Sequence, residues 1–333
     1  MKLLTYLKSK KTLTPIIIGF CGLAVVIIFY FIDPQITQAV LGSTLRQSTP
    51  IILGALCGIM CERSGVINIG IEGQMLMSAF VGFMANAWTG NLFFAVMAGM
   101  ATGALLGLLL AFTSVTLKLD QIIGGTVINI LATGLTGYFY QAGITTEGKL
   151  STITLGALAE IPLIGPVLFN NPPITYAAII LVFVLQFVLF KTTWGLRMRS
   201  VGEHPRAADT VGINVFTTRY INVILGGAIA GLAGAFLTLE AVGSFERMMT
   251  NGRGFVALAV MIFGKWTPIG AWGASLLFGF ANAMQTQFQF MGTFAIPHQF
   301  IGMLPYLLTI IVLAGFGGRA RPPAAEGEPY EKE

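Results

Sequence analysis

Residues 193–215, TWGLRMRSVGEHPRAADTVGINV, form a long charged stretch between two apolar segments of this 333-residue chain. The stretch carries Arg197, Arg199 and Arg206, and positive charge beside membrane segments is retained in the cytoplasm. Pro205 suits the first turn of a helix and Gly212 the position after its end, so the pattern predicts a helix of about two turns between them. We expect a structured cytoplasmic loop.

The role of this loop has two interpretations. Small side chains at Ala207 and Ala208 would let another protein approach the helix closely, which favours a docking surface. A hydrophilic connector that only spaces two membrane segments explains the same charges, and the residues alone favour neither.

The composition indicates the solvent around the rest of the chain. Hydrophobic residues make up 55% of the sequence and charged residues only 10%, compared with about a quarter charged in soluble domains. The 41 glycines suit helices that pack closely in lipid, and Gly99, Gly103 and Gly107 recur every fourth residue for that purpose. The chain is therefore expected to be an integral membrane protein.

Apolar runs of membrane-spanning length follow one another along the chain. They predict an all-α fold of about ten transmembrane or re-entrant helices, and the first run is an uncleaved span rather than a secretory signal. The predicted segments are 13–32, 39–61, 66–87, 92–117, 121–140, 174–191, 219–241, 253–264, 268–287 and 299–316.

The basic residues orient these segments. With both termini in the cytoplasm, all but four of the 19 Lys and Arg residues fall on the cytoplasmic side, as the positive-inside rule requires. The predicted organisation is a basic N-terminus at 1–12, a polytopic domain at 13–317 and a disordered cytoplasmic tail at 318–333. Residues 141–173 form an extracytoplasmic loop, which either contacts an external protein or only connects two spans.

Two of the predicted segments are irregular. Segment 66–87 opens with Gly65, Gly70 and Gly73 among polar residues, and segment 253–264 is short, so both are expected to be broken or re-entrant helices. Paired interruptions of this kind mark a translocation path, although glycines also serve tight packing alone.

Polar residues in apolar surroundings are the candidates for that path. Asn68 and Glu72 are four residues apart, so on a helical turn they would share a face. Arg46 precedes Pro50 in the preceding span, and it should either neutralise Glu72 or line a wet passage with it. The residues assigned to the path are Arg46, Asn68, Glu72, Gln74 and Asn129.

Catalytic and metal-binding patterns are weak throughout. Cys57 and Cys61 lack the further ligands of a metal site and are interpreted as small core residues. His204 and His298 fall on opposite predicted sides of the membrane, and the acids are scattered singly. Because no Gly-rich P-loop is present, this chain is not expected to bind ATP itself. No catalytic residue, metal or cofactor is predicted.

Two motifs carry a family resemblance. Residues 202–208, GEHPRAA, followed by Gly212-Ile213-Asn214, resemble the cytoplasmic coupling loop of ATP-binding cassette (ABC) importer permeases of the branched-chain amino acid/ribose type, the sugar and nucleoside class. Residues 62–75, ERSGVINIGIEGQM, resemble the nucleoside branch in particular. The resemblance extends through most of residues 43–317.

The resemblance implies a role for each part. The coupling residues would be Gly202, Glu203, Pro205, Arg206, Ala207, Ala208 and Gly212. Implied partners are an ABC ATPase that uses ATP and Mg²⁺, a second permease (identical or a paralogue), and an external substrate-binding lipoprotein or periplasmic protein.

The expected function is nucleoside import across the plasma membrane by alternating access, with simple sugars as the alternative cargo. An ion-coupled secondary transporter would show more charged residues in its spans, and a polytopic enzyme would show a clustered site. No nucleic-acid partner is indicated.

Overall fold

The computed structural model describes residues 30–291 and 321–332, with isolated positions at 303 and 307. The predicted segments 13–32 and 299–316 lie almost entirely outside this part of the chain. The described helices are α1 (Pro34–Glu62), α2 (Ile71–Thr89), α3 (Leu92–Ala111), α4 (Gln121–Phe139), α5 (Ile164–Leu168), α6 (Pro173–Lys191), α7 (Thr193–Glu203), α8 (Pro205–Thr210), α9 (Val215–Ala235), α10 (Arg253–Phe263) and α11 (Pro268–Met291).

Polar side chains set several helix starts by accepting backbone N–H groups that have no partner inside the helix. Asp33 accepts from Ile36 at the start of α1, and Asn91 accepts from Phe94 at the start of α3. Asp120 begins α4 in the same way. These boundaries are local properties of the sequence.

Four helices are long and apolar enough to cross a membrane among the described residues. They are 92–116, 121–139, 173–191 and 215–242, where α3 and α9 are extended by π-helical turns at Phe112–Thr116 and Phe236–Val242. Four of the predicted segments, 92–117, 121–140, 174–191 and 219–241, correspond to them. The described chain is mostly helical, as expected of a multi-pass membrane protein.

The two segments predicted to be irregular are both interrupted in the structure. Helix α2 begins at Ile71, so the boundary predicted at residue 66 is wrong by five residues. Residues 63–70 are non-helical, and Gly65 has a φ of +88°, a left-handed conformation that interrupts a helix. Helix α10 contains only 11 residues. Both interruptions are therefore present in the structure.

Small residues bring α3 and α9 together along their length. A Cβ atom at Gly103 would overlap the backbone oxygen of Gly227, and one at Gly107 would lie 2.7 Å from the oxygen of Val223. The predicted close packing of Gly99, Gly103 and Gly107 is confirmed, and the helices meet backbone to backbone.

The loop at 141–173 has structure of its own. It contains a 3₁₀ turn at Gly156–Glu160, helix α5, and an antiparallel pair of two-residue strands, β1 (Ile153–Thr154) and β2 (Asn170–Asn171). Ile153 lies opposite Asn171. The first part of loop 141–173 packs on the π-helical end of α9, where the Leu150 N–H donates to the Leu239 oxygen at 2.9 Å. Within the described residues the fold thus departs from all-α by this small ladder and by an isolated bridge between Thr145 and Ser244.

Candidate coupling surface and substrate cavity

The stretch at 193–215 folds as two helices rather than one. Helix α8, from Pro205 to Thr210, is the helix predicted at residues 205–212, and Gly212 follows it at a φ of +83°. Helix α7 was not predicted. Thr192 caps it by accepting the Gly195 N–H, and a Cβ atom at Gly195 would overlap the oxygen of Val188, so the chain turns sharply there. The Thr192 cap was a local signal for α7.

The predicted coupling residues divide between exposed and buried positions. Glu203, Arg206 and Ala207 are exposed. Gly202 is buried, and a Cβ atom there would overlap the Arg63 oxygen. The expectation that both alanines form one outer face is wrong, because Ala208 is only 3% exposed.

Ala208 is covered by the C-terminal segment of the same chain. Tyr330 packs with Val201, Ala208 and Val215 in one apolar cluster, and its ring lies 5.5 Å from that of Phe216. The predicted disorder of the tail is therefore wrong for residues 321–332. The charged, Pro-rich composition suggested disorder, but the Tyr330 side chain packs against residues that are distant in the sequence.

Backbone hydrogen bonds hold the same segment against the non-helical residues 63–70 and against α7. The Ala325 N–H donates to the Gly202 oxygen at 2.9 Å, and the Gly327 N–H donates to the Gly65 oxygen at 3.2 Å. The buried Arg219 donates to the Glu328 oxygen at 2.9 Å. The tail thus joins the two sequence motifs, which lie about 130 residues apart in the chain.

Charged groups add to this attachment. Lys118 and Glu331 form an ion pair at 2.7 Å, and Lys332 lies 3.7 Å from Asp209 of α8. Burial raises the pKa of Glu326, so this carboxyl group of the docked tail holds a proton more tightly than an exposed one.

A groove runs between α8 and the tail. Its volume is about 800 Å³, and its walls carry charged residues of both signs beside the exposed Ala207. The lining residues are Glu203, His204, Pro205, Arg206, Ala207, Ala324, Ala325, Glu328, Pro329, Tyr330 and Glu331.

The predicted path residues do not form one group. Asn68 and Gln74 are fully buried, and the Asn68 amide donates to the Gln74 oxygen at 3.1 Å and to the Cys57 sulfur at 3.4 Å. Asn68 precedes α2, so the inference that it shares a helical face with Glu72 is wrong. Cys57 and Cys61 are free and buried, as expected of core residues.

Asn129 supports the break before α2. Its side-chain oxygen accepts the Gly73 N–H at 2.7 Å, and its amide donates to the Ile69 oxygen at 3.0 Å. A Cβ atom at Gly73 would lie 2.7 Å from the Asn129 Cα. Asn129 therefore satisfies backbone groups that the irregular segment leaves without helical partners.

Glu72 binds the start of α10 rather than Arg46. Its two carboxylate oxygens accept the N–H groups of Gly252 at 2.8 Å and of Gly254 at 2.6 Å. A carboxylate at a helix N-terminus is stabilised by the unpaired N–H groups and the helix dipole. No ion pair joins Arg46 to Glu72 in the described part of the chain, so the first of the two alternatives, mutual neutralisation, is wrong.

Arg46 instead lines a polar cavity of about 440 Å³ between α1 and the π-helical end of α9. We call it the Arg46 cavity. Its lining residues are Ser43, Arg46, Gln47, Pro50, Pro172, Phe236, Leu237, Glu240, Ala241, Val242, Glu246, Met249 and Arg253. Glu240 and Arg253 were not among the predicted path residues, although an acid and a base inside apolar stretches were visible signals.

Glu240 is fixed at the start of α6. Its oxygens accept the N–H of Ile174 at 2.7 Å and the N–H and hydroxyl of Thr175 at 3.2 and 2.6 Å. The carboxylate is 8% exposed and contributes negative potential near Arg46. The cavity and α8 therefore lie at opposite ends of the 28-residue helix 215–242.

These features define a class of protein, namely a helical multi-pass membrane protein with a polar cavity at one end and an exposed helical loop at the other. The family profile described as branched-chain amino acid transport system/permease component matches residues 40–313. The chain belongs to this permease family, whose members are transport components.

Curated relatives agree with the family. The chain is 41% identical to guanosine ABC transporter permease protein NupQ of Bacillus subtilis, over 90% of this chain and 98% of the relative. It is 40% identical to nucleoside ABC transporter permease protein NupC of Lactococcus lactis subsp. cremoris, over 89% and 97%. It is 35% identical to putative glucose ABC transporter permease protein TsgC13 of Haloferax volcanii, over 82% and 90%. No solved structure matches significantly.

Proposed function

We propose that this chain is the membrane-spanning permease subunit of an ABC importer that moves nucleosides into the cell. The observation that carries the proposal is the identity of about 40% to two nucleoside-class permeases over nearly their whole length. The 35% identity to a putative glucose permease supports simple sugars as the second candidate. The family profile, which matches residues 40–313, spans both motifs that carried the family resemblance.

The proposed assembly contains two permeases, ATPase subunits on the cytoplasmic side and a substrate-binding protein outside, all in the plasma membrane. The orientation follows from charge, since Lys118, Arg197 and Arg206 lie at the α8 end of the bundle and positive charge is retained in the cytoplasm. Loop 141–173 and the Arg46 cavity then face outward.

The ATPase is proposed to dock on α8 and the adjoining groove. Ala207 is exposed at the groove wall, where a bulky charge would collide with a close-packed partner. Ala208 is covered by the tail, so it acts on docking only by holding the tail in place.

The test is co-purification in mild detergent followed by uptake in proteoliposomes. We expect an ATPase to accompany the wild-type chain and radiolabelled nucleoside to accumulate only with ATP. Ala207→Glu should lose the ATPase while keeping expression and thermal stability, and Ala207→Ser should retain it. Recovery of the chain without an ATPase, together with uptake driven by an ion gradient, would show a secondary transporter instead.

Orientation is tested by thiol labelling. Thr145 and Thr210 are both exposed, at opposite ends of the bundle. After Cys21→Ser, with Cys57 and Cys61 protected by burial, a cysteine placed at Thr145 should react with an impermeant reagent in intact cells. One placed at Thr210 should react only after permeabilisation. The reverse pattern would invert the orientation.

A further inference from the structure

We propose that the Arg46 cavity is a nucleoside-binding site in which the Arg46 guanidinium recognises the O6 and N7 acceptors of a 6-oxopurine base. The inference rests on the proposed function, and it adds the site and the preferred class of nucleoside. It draws on four observations, namely the size and lining of the cavity, the balance of its charges, the bonding of Arg46, and the π-helical turn in its wall.

The cavity has the dimensions and walls of a small-molecule site. Its volume of about 440 Å³ lies within the range of about 300–1,000 Å³ typical of ligand pockets. Phe236 and Leu237 are only 5% and 4% exposed and, with Met249, form an apolar surface for a flat ring. Ser43 and Gln47 supply hydroxyl and amide groups on the same lining. A nucleoside has this combination of a planar base and a polyhydroxylated sugar.

The charges of the lining are balanced. Two arginines, Arg46 and Arg253, face two glutamates, Glu240 and Glu246. A site for a phosphorylated ligand would carry an excess of positive charge, because phosphate groups must be neutralised. The balance favours an uncharged polar ligand over a nucleotide.

The two basic residues differ in their bonding. The Arg253 guanidinium donates to the Met249 oxygen at 2.9 Å and the Thr250 oxygen at 3.4 Å, so backbone acceptors hold it. Arg46 has no hydrogen bond or ion pair to another residue of 30–291 or 321–332, and it shares the cavity wall with the fixed carboxylate of Glu240. A guanidinium at membrane depth is retained only where it has a use or water around it.

The geometry of guanidinium decides which base it can recognise. Its parallel N–H groups match two adjacent acceptors, and guanine and hypoxanthine present such a pair at O6 and N7. Adenine presents an acceptor at N7 but a donor amino group at position 6, which repels a second N–H. Arg46 should therefore favour guanosine and inosine over adenosine.

A local structural feature supports a functional role for this wall. The C-terminal part of α9 is π-helical from Phe236 to Val242, and such turns occur frequently at functional sites. The same seven residues provide the apolar floor and the carboxylate of Glu240. Loop 141–173 packs beside them through the bond between Leu150 and Leu239.

The experiment uses the complete transporter, purified with its partners and reconstituted in proteoliposomes. Uptake is measured at saturating inosine and saturating adenosine, so that delivery by the binding protein does not limit the comparison. Arg46→Gln should reduce inosine uptake roughly tenfold or more, the loss expected for a bidentate pair, while adenosine uptake changes less than twofold. Arg46→Lys should give an intermediate inosine uptake, because lysine retains the positive charge but lacks the two parallel N–H donors of guanidinium.

Arg247 provides the matched control. It lies at the same end of the bundle with its guanidinium 5.0 Å from the Tyr140 ring, and it does not line the cavity. Arg247→Gln should leave the inosine-to-adenosine ratio unchanged. ATPase co-purification is measured for each variant, so that a coupling defect is recognised separately.

A second measurement does not depend on any variant folding. An 8-azido-purine nucleoside, photoactivated in the wild-type complex, should label peptides from residues 43–50 or 236–253, and excess inosine should reduce the labelling.

The outcomes separate the two proposals. Absence of nucleoside uptake by the wild-type complex, with sugar uptake instead, overturns the proposed function. Nucleoside uptake that is unaffected by Arg46→Gln, or labelling confined to other peptides, overturns the site. An equal fall for inosine and adenosine overturns recognition of the O6 and N7 edge.

Discussion

Glu72 offers a direct test of the structure, because one of the two interpretations of the sequence paired it with Arg46, whereas the observed contacts are with Gly252 and Gly254. An ion pair with Arg46 would make each single alanine substitution destabilising and would let the double substitution recover stability. The structure instead places both carboxylate oxygens on the N–H groups of Gly252 and Gly254. Glu72→Ala should therefore destabilise the start of α10 whether or not Arg46 is present.

The size of the effect follows from the two bonds. A hydrogen bond to a charged group contributes about 1.5–3 kcal/mol, so two such bonds give about 3–6 kcal/mol. Glu72 is partly exposed, and water will replace part of what is lost, which puts the expected cost at about 3 kcal/mol. Glu72→Gln keeps one acceptor oxygen and should cost about half as much.

The assay is thermal denaturation of the detergent-purified protein, combined with amide hydrogen exchange over residues 252–256. We expect Glu72→Ala to lower the midpoint and to speed exchange at this site, and Arg46→Ala to change neither. Glu160→Ala is the control, because Glu160 is exposed in loop 141–173. Recovery of stability in the Arg46→Ala, Glu72→Ala double variant would refute the capping argument and restore the ion pair.

Two further predictions concern helix packing and the tail. Gly103→Ala should destabilise the protein by about 1–3 kcal/mol because the new Cβ overlaps the Gly227 oxygen, whereas Gly134→Ala on the open face of α4, with nothing within 4 Å, should be neutral or stabilising in the same thermal assay. Because burial raises the pKa of Glu326, the docked tail binds a proton more tightly than the free tail, and docking should weaken as the pH rises from the ordinary carboxyl range through the raised value. Glu326→Gln should remove this dependence, measured as exchange of the amides at 321–332 corrected for intrinsic rate. A wild type whose tail docking does not change with pH, or a Gln variant that loosens the tail, would contradict the protonation of Glu326 on docking.

Much of the fold follows from local properties of the chain. The excess of apolar residues predicts a membrane protein because few soluble folds can cover so much apolar surface. The four-residue spacing of Gly99, Gly103 and Gly107 places them on one helix face, and that face is where α9 approaches. Pro205 and Gly212 bound α8 because each has a backbone preference that acts within one turn.

The functional site could be predicted from sequence only in part, because its contacts join residues that are distant in the chain. Polar residues in apolar segments were correctly singled out, but their partners were not. Glu72 hydrogen-bonds to residues about 180 positions away. Asn68 is buried in the core because the chain is non-helical at a position where a helix was assumed. Periodicity assigns faces only after the element is known.

The sequence by itself therefore determined the class of protein, the helices with strong local signals and the residues that carry unusual polarity. Tertiary structure alone decided that the tail covers Ala208, that Glu72 caps α10, and that Arg46 and Glu240 line one cavity. The physical reason is range. Helix propensity, capping and hydropathy act over a few neighbouring residues, whereas a buried polar group takes whichever partner the packing of distant helices brings within hydrogen-bonding distance.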